Sequence, residues 1–298
     1  MNVAKKNSAN PFDSRLFVQS FAKGMEVLRA FGLERPAMSL PEIASVVGVT
    51  KSAAQRFATT LHALGYLQKH SESKRYSLTP KVIELGYQYL VVDRFLERAS
   101  PYALDLSRRC RETVNLAEGD GLDMVYLARF ASQYHMPVYM PVGRRLPMYC
   151  TSAGRAYLAA LPRDQAFNLL TSSVRPRYTR TTVSDLDELM RLLEQATEAG
   201  YAFANGEYYE GDLGIAVAVR DVRGQVVGAI NISCPSLRWT LGRMRRELAP
   251  LLIETARLVS TKPPSSTKSA PFLLGTGAIT PTATGTPARA SGRKRKER

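Results

Sequence analysis

Six side chains in the stretch TKSAAQRFATT are equipped to grip a polyanion. Thr50, Lys51, Ser52, Gln55, Arg56 and Thr59 carry hydroxyl, ammonium, amide and guanidinium groups, the donors and acceptors that pair with base edges and phosphate oxygens of duplex DNA. At a helical repeat they share one side with His62, and Ala54, Phe57, Ala58, Leu61 and Leu64 form the apolar stripe opposite. Gln55 and Arg56 are placed for base edges. Thr50 and Lys51 fall at the helix start, where side chains and free N–H groups meet phosphates. A polar helix side usually does no more than face water, so its weight rests on the elements that frame it.

Those elements read as a helix-turn-helix followed by a basic hairpin. In SLPEIASVVG, Ser39 and Glu42 have the spacing of a capping box, and Leu40, Ile43, Ala44 and Val47 supply an apolar stripe. Gly48 breaks this helix, Thr50 caps the next, and Gly65 stops it. In YLQKHSESKRYSLT, Tyr66 and Leu67 pair with Tyr76 and Leu78 across a polar Ser71–Lys74 turn, which makes Lys69, Lys74 and Arg75 a basic wing. A helix over Phe21–Phe31, with Phe21, Met25 and Leu28 inward beside Val27 and Phe31, would cover the back. Residues 17–79 are thus expected to form a winged head, after a flexible arm over 1–16. A linker helix over 80–100, striped by Val82, Leu85, Gly86 and Tyr89, is of a kind that pairs between subunits.

Charge follows the same partition. Residues 1–100 hold 14 Lys and Arg against 8 Asp and Glu, residues 101–261 hold 19 against 17, and residues 262–298 hold 8 against 1. Basic excess is confined to the head and the tail, a placement that suits phosphate neutralisation. The tail over 261–298, rich in Pro, Thr, Ser and Gly and ending in GRKRKER, reads as disordered.

Residues 101–260 read as an α+β body. TVNLAEGD and LDMVYLARF flank Asp120-Gly121 as a hairpin, IAVAVRD and QVVGAINIS flank Val222-Arg223-Gly224, and helices are expected over Ala103–Arg111, Thr151–Leu161, from the cap Ser184 to Gly200, and from Thr240 to about Val259. Strand pairs without regular βαβ alternation indicate an antiparallel sheet. In MYCTSAGRAYL, the small Thr151, Ser152, Ala153 and Gly154 leave the first N–H groups of a helix reachable by a carboxylate, with Arg155 nearby. Small residues there also allow plain close packing. In AINISCP, alternation puts Asn231 and Ser233 on one face, facing either water or a bound acid. The loop FANGEYYEGDLGIAV offers a rim through Asn205, Glu207 and Gly214, with tyrosines that suit an aromatic guest.

Several classes are disfavoured. TSAG lacks the GxSxG elbow, and no phosphate-binding GxxxxGK[ST] loop occurs. Cys110, Cys150 and Cys234, with His62, His70 and His135, lack metal-ligand spacing, so neither metal nor cofactor is called for. No unbroken apolar run approaches the roughly 20 residues that span a bilayer, and the N-terminus carries no secretory pattern. A cytoplasmic protein without a membrane partner is expected.

The order of these pieces resembles the IclR family of bacterial transcription regulators from about Phe17 to Val259. SLPEIASVVGVTKSAAQRFATTLHALGYL and YSLTPKVIELG carry the likeness in the head, and TSAGRAYLA, GYAFANGE and GQVVGAINIS carry it in the body. The resemblance implies a winged helix-turn-helix, a linker helix and a GAF-like effector domain, working as dimers or tetramers on operator DNA. It puts the recognition helix on Lys51–Leu64 with its arginine at Arg56, and the effector-carboxylate site on Ser152 and Ala153. The pocket strand falls on Asn231 and Ser233, the loop acid near Ala204 and Asn205, and a pocket cysteine of some members on Gly214. Asn231, the loop and Gly214 depart from the pattern of glyoxylate-sensing members and favour a larger guest, such as the aromatic acids other members answer to. The function read from the sequence is a regulator of catabolic genes, in which a small carboxylate effector controls binding to operator DNA. RNA polymerase would be a further partner if the regulator activates. A ligand-blind architectural DNA binder is the alternative, and an enzyme is a remote one.

Overall fold

The computed structural model describes residues 15–132, 134 and 140–261. The expected arm up to residue 14, His135 and the tail beyond residue 261 lie outside the described residues. The chain divides into two compact units between Asp93 and Arg94.

The first unit runs α1 (Gln19–Arg29), β1 (Ala37–Met38), α2 (Leu40–Val47), α3 (Lys51–Ala63), β2 (Leu67–Lys69), β3 (Tyr76–Leu78) and α4 (Val82–Val92). The capping box at the start of α2 is formed on both sides, with the Ser39 N–H donating to Glu42 Oε2 at 2.7 Å. Thr50 Oγ1 accepts from the Ala53 N–H at 3.2 Å and opens α3. Gly65, at φ +81°, closes it: its N–H donates to His62 O, and the Tyr66 N–H reaches back to Leu61 O, both at 2.9 Å. That pair of bonds needs a left-handed residue, which glycine adopts without strain. Ala54 and Ala58 are fully buried and let α3 lie close to its neighbours, with Ile43, Val47, Leu61 and Leu67 filling the same core.

Three details differ from the sequence reading. In the wing, Leu67 faces Leu78, but Tyr76 faces Lys69, and Tyr66 lies outside the ladder; a third strand, β1, pairs with β3. Phe21 and Met25 are exposed, because α1 buries only the turn around Val27 and Leu28, with Phe31 just beyond it. The single helix expected over 80–100 is interrupted at Asp93, whose backbone is extended, and α4 buries none of its residues.

The second unit starts with α5 (Arg94–Cys110), which runs through Pro101, then β4 (Thr113–Asp120), β5 (Asp123–Phe130) and β6 (Arg145–Pro147). A 3-10 turn at Met148–Cys150 leads into α6 (Ser152–Ala159), followed by α7 (Arg163–Ser172), α8 (Leu186–Ala199), β7 (Ala202–Asn205), β8 (Asp212–Arg220), β9 (Val226–Pro235), α9 (Leu241–Glu247) and α10 (Ala249–Thr261). One antiparallel sheet has the order β6-β5-β4-β9-β8-β7. α6 packs on one face, and α5 and α10 on the other. β7, β6 and α7 had no sequence signal strong enough to place them. The cap of α8 is Asp185, not Ser184: its carboxylate accepts from the Glu188 N–H at 2.9 Å. The closing helix is two helices meeting at Leu248. Among the described residues no helix is long and apolar enough to cross a membrane.

Candidate functional site

The outer side of α3 is built as the residue types require. Lys51, Ser52, Gln55, Arg56 and Thr59 are all exposed, since Ala54, Ala58 and Leu61 turn the opposite side inward. Arg56 makes no ion pair within the described residues, and Thr50 is spent on the helix cap. His62 is committed to the wing, its Nδ1 2.8 Å from Leu67 O.

The wing divides into free and committed cations. Lys74 sits exposed at the turn with φ +55°, and Lys69 lies with its ammonium 5.7 Å from the centre of the Tyr76 ring. Arg75 is not a free phosphate contact. Its Nη2 donates to Glu42 Oε1 and to Ala37 O, both at 2.8 Å, and ties the wing to α2 and β1. Hydrogen bonds from Ser39, then from Arg75, hold the Glu42 carboxyl down at about 2.

In the second unit, a narrow cleft with both polar and apolar walls lies between α6 and the sheet. Its floor comes from paired strands: Asn115 of β4 faces Asn231 of β9, and Ser233 faces Gly214 of β8. Asn115 and Asn231 are 2 % and 4 % exposed, and the Oδ1 of each lacks a protein partner. Buried amide oxygens without partners are costly, so these two favour a donor, from water or a guest, in the cleft. Asp212, Ser152, Arg129, Tyr126, Tyr208 and Tyr209 complete the walls. Ser233 Oγ donates to Asp212 Oδ1 at 2.5 Å, and burial pushes the Asp212 carboxyl up to about 6 against the pull of Ser233 and Arg129.

The start of α6 reaches this space because glycine lets it. A Cβ on Gly214 would lie 2.5 Å from Ser152 Oγ, and one on Gly154 would lie 2.2 Å from the Met148 backbone. Thr151 Oγ1 accepts from the Gly154 N–H at 3.2 Å. The N–H groups of Ser152 and Ala153, first in the helix, have no intrahelical partner, and the helix dipole favours an anion there.

Four of the expected pocket residues have other placements or roles. Ala153 is fully buried in the core and is not among the residues that line the cleft, whereas Ser152 beside it is. Asn205 is exposed on the outer side of β7, and Ala204 lines the cleft instead, because strand alternation turns neighbours to opposite faces. Glu207 does reach the wall, but its carboxylate is taken up by Arg155 at 2.5 and 2.6 Å and by the Val183 N–H at 3.0 Å. Arg155 is consequently a structural cation under the cleft, not a ligand for an acid. Asp212 and Arg129 escaped sequence reasoning: each is an ordinary charged residue in a strand, and only the sheet order brings them to the same floor. Among the described residues no cluster of His, Cys, Asp and Glu could hold a metal.

A winged head with an open polar helix side, joined in one chain to an α+β body, is the architecture of a DNA-binding transcriptional regulator. The chain belongs to the IclR family: the IclR helix-turn-helix domain matches residues 20–71, and the bacterial transcriptional regulator IclR C-terminal domain matches residues 87–261. It is 35 % identical to the HTH-type transcriptional regulator KdgR of Escherichia coli over 245 residues, covering 82 % of this chain and 92 % of that one. It is 32 % identical to the Pca regulon regulatory protein of Pseudomonas putida over 242 residues, 81 % and 82 % of the two chains. The crystal structure of an IclR homologue complexed with 4-hydroxybenzoate, from Microbacterium hydrocarbonoxydans, matches with a TM-score of 0.67 and 26 % identity over 81 % of this chain and 98 % of that chain. The relatives are transcriptional regulators, so the protein is a regulator and not an enzyme.

Proposed function

We propose that this protein controls catabolic genes by binding operator DNA through α3 and the wing, and that a small carboxylic acid, aromatic acids included, enters the cleft beneath α6 and alters that binding. One observation carries the reading: two buried asparagine oxygens without protein partners lie on the floor of a cleft that Ser152, the first residue of α6, also lines. A carboxylate satisfies the helix start, and the remaining polar atoms of the guest satisfy the amides. A relative that regulates a Pca regulon and a homologue holding 4-hydroxybenzoate support an aromatic guest. The effector acts by binding the DNA-competent and incompetent arrangements with different affinity.

The working form is a homodimer or a tetramer. α4 leaves Ile83 70 % and Val92 73 % exposed with Tyr87 and Leu85 also open, an apolar surface of the kind a second copy covers. RNA polymerase joins as a partner if the bound protein activates transcription.

Thermal melting of the full chain against a panel of aliphatic and aromatic carboxylates tests the effector reading, because a ligand that binds only the folded state raises the melting temperature by mass action. A selective shift, accompanied by altered operator binding, supports it. A flat response across the panel would instead mark a ligand-blind DNA binder.

A further inference from the structure

The polar groups of the cleft are more numerous than a lone carboxylate can use. The start of α6 and Arg129 supply positive potential for an acid group. On the β8 and β9 side stand Asp212, Ser233 and Asn231, with Asn115 across the β4–β9 ladder. Asp212 binds Ser233 through one carboxylate oxygen, Oδ1. Its second oxygen makes no hydrogen bond within the described residues, in a residue that lines the cleft and is half-buried. A carboxylate oxygen so placed is an acceptor and calls for a donor. Arg129 already supplies a cation beside it, so the complement is a neutral donor on the guest.

Resting on the reading of the cleft as an acid site, we infer that Asp212 is its specificity residue, and that the effector is a carboxylic acid bearing a hydroxyl group which donates to the free Asp212 oxygen. The carboxylate lies at the Ser152 and Ala153 N–H groups and the hydroxyl on the β8 side. Asn115 and Asn231 serve the atoms between. A deoxygenated acid of the same shape displaces water from Asp212 without replacing its hydrogen bond, which is why the site discriminates: a missing bond to a charged group is worth roughly ten- to a hundred-fold in affinity. Ser233 fixes the Asp212 rotamer and is a positioning residue.

The test is calorimetric titration of the full-length protein with matched pairs, 4-hydroxybenzoate against benzoate and gluconate against hexanoate. The wild type is expected to prefer the hydroxylated member of one pair by ten-fold or more, and the pair identifies an aromatic or an aliphatic guest. In Asp212→Ala the preference should fall below about three-fold, because the hydroxylated acid loses its bond to Asp212 while benzoate or hexanoate, which makes none, loses no affinity. Asp212→Asn, which retains the shape and the bond from Ser233, should show a smaller loss in the same direction and guards against misfolding of the alanine variant. Equal binding of both members to the wild type, or a preference that survives Asp212→Ala, overturns the hydroxyl assignment and leaves the acid site standing. Absence of binding by all four acids overturns the acid-site reading and this inference with it.

Discussion

Arg155 and Glu207, 52 positions apart, meet in a buried bidentate ion pair beneath the cleft, with 3 % and 5 % of their side chains exposed. Arg155 also donates to Tyr149 O and Phe203 O, both at 3.0 Å, and the Glu207 backbone carbonyl accepts from Thr182 Oγ1 at 2.6 Å. The pair thus ties α6, β7 and the segment before α8 around the site. Breaking a buried pair strands the surviving charge, at a cost of about 3–5 kcal/mol. Arg155→Ala and Glu207→Ala should each lower stability by that order in urea unfolding, and the double variant should lose less than the two losses added. Additive losses would mean that the two side chains do not act as a unit.

The wing makes a separable prediction. Lys74→Ala should weaken binding to every duplex alike and reduce the salt slope of binding by about one phosphate contact, roughly 0.9 in log units. Arg75→Ala should leave that slope nearly unchanged and instead loosen the wing, read as a lower melting temperature. Since the Glu42 carboxyl is held at about 2, below its ordinary 4.5, this clamp contributes fully above pH 4.5 and is lost as pH falls through about 2. If Arg75→Ala flattens the salt slope as much as Lys74→Ala, Arg75 leaves Glu42 for phosphate on the DNA.

Arg56 stands exposed in the middle of α3, and among the described residues no acid is paired to it. Arg56→Ala should weaken binding to the operator by about 1–3 kcal/mol and relax the preference at one base pair. Competition between operator and scrambled duplex measures both effects, and equal loss on the two duplexes would reassign Arg56 to phosphate.

The head was more legible than the cleft, and the reason is range. Ser39 and Glu42, Thr50 and Ala53, Gly65 and His62 interact within four residues, so their chemistry shows in the spacing alone. The cleft is assembled by sheet order. Nothing local tells that Asn115 will face Asn231, or that Asp212 will reach Ser233. Local spacing was also what misled: Glu207 and Asn205 share a loop with Tyr208 and Tyr209, yet one is consumed by Arg155 and the other turned outward by strand alternation. Arg75 reads as a wing cation until β1, too short to signal itself, brings the Ala37 carbonyl beside it.

The Asp212 carboxyl makes stability depend on pH in a predictable direction. Burial raises it from 3.8 to about 6, so the folded protein holds this proton more tightly than the unfolded chain. Its contribution is fully present below pH 3.8 and is lost as pH rises through about 6, a difference of about 3 kcal/mol at most. Asp212→Asn keeps an acceptor for Ser233 and carries no charge. The variant should therefore match the wild type near pH 4 and exceed it at pH 7.5 by up to that amount in urea unfolding. Glu42 titrates identically in both proteins, so it drops out of the comparison. An anionic guest adds a like charge near Asp212 and raises its proton affinity further, so binding of a carboxylate should take up protons near pH 6 and do so only with the native residue. Calorimetry in buffers of different ionisation heat measures that uptake, and an Asp212→Asn variant that still takes up a proton would place the titrating group elsewhere in the cleft.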